Sequence, residues 1–95
     1  MSKLSIIWSP IAEVEYLDIL KYIIENWSIN DADKFDIITN DLISKIAINH
    51  KLCPKSEITN FRKCIITHQT SLIYRISSDC IEIISFISNH SNHQY

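Results

Sequence analysis

The chain of 95 residues contains no glycine. A glycine-rich phosphate cradle is therefore impossible, which removes P-loop nucleotide sites and Rossmann dinucleotide sites from consideration. Turns have to be made with Pro, Asn, Asp and Ser, each of which bends the chain through its own local hydrogen bonds or fixed φ. No apolar run approaches the ~20 residues that a membrane helix requires, and Lys3 is not followed by the long apolar core of a secretory leader. The expectation is a cytoplasmic protein with no membrane partner. Cysteine is scarce and odd in number: Cys53, Cys64 and Cys80, with no C-x-x-C pair. That pattern points to reduced thiols serving as small apolar residues rather than to a disulfide framework. None lies in a nucleophile motif. No cofactor is expected.

What is present is the material for one folded unit. Apolar residues make up 46% and charged residues 21%, an ordinary globular balance. A chain of this length can bury about two-thirds of its unfolded surface, enough for one core, and residues 1–95 are read as a single domain. The net charge of -2 conceals an asymmetry. Residues 1–49 carry four lysines against eight carboxylates, a net of -4, while residues 50–95 carry five Lys or Arg against three carboxylates, a net of +2. All four histidines, His50, His68, His90 and His93, lie in the second half. A mildly basic half with imidazoles can meet an anion; two helices with acidic solvent faces give the same distribution.

The segment LSIIW (4–8) is short, apolar and β-branched, and reads as a strand. Ser9-Pro10 then places a capping hydroxyl before a proline suited to the first helical position. Val14, Leu17, Leu20, Ile24 and Trp27 recur at three- and four-residue steps, so they form the expected buried stripe of a first helix. Ser28-Ile29-Asn30-Asp31 has capping-box spacing and restarts a helix at once, with Phe35, Ile38, Leu42 and Ile46 as its stripe. So short a connection makes an antiparallel helical hairpin over about 10–49. A polar loop leads to FRKCIIT (61–67), SLIYRI (71–76) and IEIISFI (81–87), read as a β-meander over about 61–87, followed by a polar tail, 88–95. The fold class is α+β in the order β-α-α-β-β-β, with the hairpin on one face of a small, largely antiparallel sheet. Placing charge outside the core puts Arg62 and Arg75 on the uncovered face and leaves Lys63 inward or at an edge.

The opening IIWSPIAEVEYLDILKYI, together with LCPKSE, FRKC, SLIYRI and IEIISF, resembles the RelE/ParE superfamily of bacterial toxin–antitoxin toxins over nearly the whole chain. The resemblance implies the same element order, a small antitoxin as binding partner, and one of two activities: cleavage of ribosome-bound mRNA or inhibition of DNA gyrase. Metal-independent RNA cleavage needs a base, an acid and cationic clamps around the phosphate. By the resemblance, Arg62 falls where one such cation sits. Cys64 and Ser71 stand where the cleaving members carry two more. His90, His93 and Tyr95 fall where those members carry terminal acid–base groups.

Depleted cations and a pI of about 6.0 favour the ParE-like branch, in which Arg62, Arg75 and His90 would contact the target without catalysis. The alternatives are an mRNA endonuclease using Arg62, Arg75, His90, His93 and Tyr95, or a degenerate member that only binds antitoxin. His90 and His93 as a zinc pair lack a nearby Cys or carboxylate, so no metal is expected. His68 reads as a solvated hairpin residue, and Trp8 and Trp27 as packing residues.

Overall fold

The structure, a computed structural model, describes residues 2–90. Strand β1 (Ser5–Trp8) leads into helices α1 (Pro10–Asn26) and α2 (Ile29–Ile48), followed by strands β2 (Arg62–Ile65), β3 (Thr70–Ile76) and β4 (Cys80–Ser88). The sheet order is β1-β4-β3-β2. β2, β3 and β4 form the expected antiparallel meander, and β1 returns parallel to β4. No helix among the described residues is long and apolar enough to cross a membrane.

Both helix starts follow from their serines. Ser9 has extended backbone angles, and its Oγ accepts from the Ala12 amide at 3.0 Å, with Pro10 in the first turn. The same hydroxyl donates to the Ile84 carbonyl at 2.8 Å, and the Ser9 amide donates to Ile83 at 2.9 Å. One residue thus caps α1 and ties it to β4. Ser28 accepts from the Asp31 amide at 3.0 Å and donates to the Asp31 carboxylate at 2.8 Å, which satisfies one of the free amides at the start of α2.

The buried stripe of α1 is not the one that spacing suggested. Ala12 and Tyr16 are buried, with Ile19, Leu20 and Ile23 packed beside them, whereas Val14, Leu17, Ile24 and Trp27 are all exposed. In α2 the buried set includes Ala32, Phe35, Thr39, Ile43 and Ile46, and Ile38 is exposed. Ala12 and Tyr16, flanked by Ile19, Leu20 and Ile23, take the inward face of α1, and a second set of aliphatics is left outside. Trp8 joins an aromatic cluster as expected, with ring centroids 5.2 Å from Tyr16 and 5.3 Å from Phe86. Tyr16 also lies 6.0 Å from Phe35 and donates its hydroxyl to Asp36.

Where β1 ends at Trp8, helix α1 takes over the edge of β4. A bulge sets Tyr74 opposite Ile83 and Ile73 opposite Ser85, leaving Ile84 as the extra residue. Glu15 then accepts from the Phe86 amide at 3.1 Å and the Ser85 hydroxyl at 2.8 Å. A single carboxylate serves two donors that the short β1 cannot reach.

Glu15→Ala would leave the Phe86 amide without this acceptor, so thermal or chemical unfolding should show a loss of about 1–3 kcal/mol, largely recovered in Glu15→Gln. Burial raises the Tyr16 phenol well above its ordinary value, and the Asp36 carboxylate reinforces the shift. A folded pKa above the unfolded one means that this contribution is intact below about pH 10 and is lost as the pH climbs toward the folded value. Denaturation measured across the alkaline range should show stability falling with pH, and Tyr16→Phe should make that fall shallower.

Candidate functional site

Side-chain parity in β3 decides what the sheet offers. Leu72 and Tyr74 are fully buried in the core on the helix side. Cross-strand partners share a face, so the register Cys64↔Leu72 and Arg62↔Tyr74 carries Arg62 to that same side. This corrects the expectation that Arg62 lies on the open face. Burying Cys64, 2% exposed, fixes the parity of the strand and takes Arg62 with it. Lys63 accordingly faces outward, opposite Ile73, rather than inward.

Arg62 is accommodated by the loop after α2. Its Nη1 donates to the Cys53 carbonyl at 2.7 Å. The Tyr74 hydroxyl donates to the His50 carbonyl at 2.8 Å and accepts from the Cys53 amide at 3.4 Å. Burial raises the Tyr74 phenol, with partial offsets from the Cys53 amide and the Arg62 charge. Cys53 and Cys64 are joined in a disulfide across a separation of 11 residues, which corrects the expectation of reduced thiols; Cys80 alone is a free cysteine. The pairing arises because a Lys55↔Arg62 bridge and the Ser56 amide bond to Phe61 at 2.8 Å fold the loop back along β2, a return that odd spacing does not reveal.

Arg75 does lie on the open face, opposite Glu82, and its Nε bonds the Glu82 carboxylate at 2.6 Å. Arg62 and Arg75 are therefore on opposite faces and do not converge on one phosphate. At the other end of β3, about 17 Å from Arg75 along the strand, the meander brings two histidines together. His68 in the β2–β3 turn and His90 after β4 have ring centroids 6.4 Å apart, edge to face, and both are exposed. Asn89 holds this end: its amide donates to Gln69 at 2.9 Å, its Nδ2 to Thr67 at 2.9 Å, and its Oδ1 accepts from the buried Ser71 hydroxyl. Reading His68 as an isolated hairpin residue missed this pairing. In a three-stranded meander the first turn and the end of the third strand share one edge, which is the signal that finds it.

Two imidazoles in this arrangement are of the side-chain type that serves as acid and base in proton transfer. His93 and Tyr95, the other members of the expected acid–base set, lie outside the described residues, as does the second half of the His90/His93 zinc pair. Among the described residues no group of three or more His, Cys, Asp or Glu is placed to hold a metal.

No family model matches the sequence, and no curated protein matches it. Solved structures do. The YoeB dimer from Staphylococcus aureus is 27% identical, with a TM-score of 0.63 over 88% of this chain and 94% of that one. The chain belongs to the RelE/ParE superfamily of toxin–antitoxin toxins. A chain of the chromosomal ParDE system from P. aeruginosa shares the fold at 15% identity, with a TM-score of 0.76 over 90% of this chain and 96% of that one. The YoeB/ParE toxin from Agrobacterium tumefaciens does so at 15% identity and a TM-score of 0.62, covering 90% and 98%. On this RelE/ParE frame, the loop stapled by Cys53–Cys64 covers the helix side of β2, and the histidine end stays exposed.

The staple closes a loop of about a dozen residues, so reducing it should cost about 3 kcal/mol through a less constrained unfolded chain. Thermal unfolding with and without a thiol reductant should show that loss in the wild type. A Cys53→Ser/Cys64→Ser variant should start from the lower stability and not respond to reductant.

Proposed function

We propose that this chain is the toxin of a type II toxin–antitoxin pair and acts in the ParE-like manner, by binding a macromolecular target, DNA gyrase, rather than by cutting RNA. A cognate antitoxin neutralises it. The observation that carries this reading is the disposal of the two strand arginines. Arg62 is turned to the helix side and bonded to the Cys53 carbonyl, while Arg75 is paired with Glu82 on the opposite face. A site that stabilises a dianionic phosphorane needs its cations gathered at one point, and these two are divided between faces. The open sheet face, with Arg75, Lys63 and the histidine end, is then the surface that meets the target.

A second reading, ribosome-dependent mRNA cleavage, is favoured by the His68–His90 pair and by the 27% identity to YoeB from Staphylococcus aureus. There His68 and His90 would share the acid and base roles, with Lys63 as the nearest outward cation of β2.

The two readings separate in one experiment. The protein is induced without antitoxin, mRNA ends are mapped, and gyrase supercoiling is assayed on purified protein. The ParE-like reading expects lost supercoiling, growth arrest and unchanged transcript ends, with His90→Ala weakening arrest and supercoiling inhibition together. Codon-phased cuts that either histidine substitution reduces about 100-fold or more, the scale of an acid–base group, overturn it in favour of cleavage. No arrest and no change in either assay identifies a member that only binds antitoxin.

A further inference from the structure

The loop between α2 and β2 is held to the sheet mainly by its disulfide. Ser56 is its one buried residue, while Leu52 and Ile58 are exposed, so beyond Cys53 the loop brings little apolar surface to the core. Its other ties are a few hydrogen bonds. The Lys63 amide donates to Pro54 at 3.2 Å, the Cys53 amide to the Tyr74 hydroxyl at 3.4 Å, and that hydroxyl to His50 at 2.8 Å. A segment with so little packing opens locally at low cost, and the covalent bond to Cys64 opposes that opening. Arg62 depends on the same residue, because its Nη1 donates to the Cys53 carbonyl at 2.7 Å. Moving Cys53 away would remove this acceptor. The face taken by Arg62 would not change, since Cys64 and Tyr74 stay in the core.

The two sulfurs differ in access. Cys64 is 2% exposed, whereas Cys53 is partly exposed and lies between the exposed Lys51 and Lys55. A thiolate arriving from solvent reaches the Cys53 sulfur first, and the neighbouring cations favour its approach. We infer that the Cys53–Cys64 bond is a redox latch, opened by a dithiol reductant, that keeps the loop closed and the Arg62 guanidinium occupied. The reductant's thiolate bonds to Cys53 Sγ, the bond to Cys64 breaks, and Cys64 leaves as a thiolate and takes up a proton. The second thiolate of the reductant then attacks its own bonded sulfur and releases Cys53, which is protonated in turn. Two electrons and two protons pass to the protein, leaving two cysteine thiols and an oxidised, disulfide-bonded reductant. In the open form the guanidinium can take an anionic oxygen in place of the Cys53 carbonyl. The latch rests on the loop geometry and does not depend on the toxin reading.

The test uses the full chain, oxidised and after treatment with dithiothreitol, together with Cys53→Ser, which cannot form the bond but leaves Cys64 in the core. Limited trypsin digestion is followed by mass spectrometry under conditions where circular dichroism shows each form folded. Cleavage after Lys51 and Lys55 should be about tenfold or more faster in the reduced chain and in Cys53→Ser, with the helical sites Lys21 and Lys34 still uncut. Reoxidation of the wild type with oxidised glutathione should restore the slow rate. Phenylglyoxal, which modifies arginine, should label Arg62 faster in Cys53→Ser than in the oxidised wild type by a comparable factor, with Arg75 as the unchanged reference. Equal loop cleavage in the oxidised and reduced chains overturns the latch. So does cutting at Lys21 and Lys34 as fast as in the loop, which would mean that reduction loosens the whole fold. Equal labelling of Arg62 in the two forms, or free thiols at Cys53 and Cys64 that persist in oxidised glutathione, overturns it as well.

Discussion

The inward orientation of Tyr74 is the constraint on which the candidate surface depends. Its ring is fully buried, and its hydroxyl reaches the backbone of the loop after α2, where it bonds His50 and Cys53. A buried phenol needs such partners, since an unsatisfied hydroxyl in a core costs more than a hydrogen bond contributes. Once Tyr74 is inward, Leu72 and Cys64 are inward with it, and Arg62 must follow. The loop then supplies the carbonyl that the guanidinium requires, and brings Cys53 to Cys64. A single register choice thus determines the staple, the helix-side placement of Arg62 and the outward placement of Lys63.

The same logic gives the molecule two unlike surfaces. On the sheet, the charges are divided between the faces, and the exposed end is polar, held by Asn89 across the first turn of the meander. On α1, the outer face is apolar with acidic borders.

Much of the architecture was legible because it rests on short-range chemistry. Ser9-Pro10 and Ser28–Asp31 mark both helix starts, because a hydroxyl followed by free amides closes locally. The meander follows from apolar runs separated by turn residues. What misled was periodicity where two apolar stripes share one helix. In α1, Val14–Leu17–Ile24 has as good a spacing as Ala12–Tyr16–Ile23, and no local rule ranks them. The inward one is chosen by fit against Trp8, Phe35 and Phe86. The site suffered similarly. Arg62, assigned outward by the rule that charges avoid cores, lies at the end of a strand whose other inward residue is Cys64, and a loop carbonyl removes the penalty.

The sequence by itself determined the element order, the capped helical hairpin, the antiparallel meander and the absence of any glycine-dependent nucleotide site, since each rests on contacts a few residues apart. Only the tertiary structure decided the parallel return of β1, the face taken by Arg62, the Cys53–Cys64 bond and the meeting of His68 with His90. Those depend on register and on which of two apolar stripes packs inward, and both are settled by side chains distant in sequence competing for the same buried space.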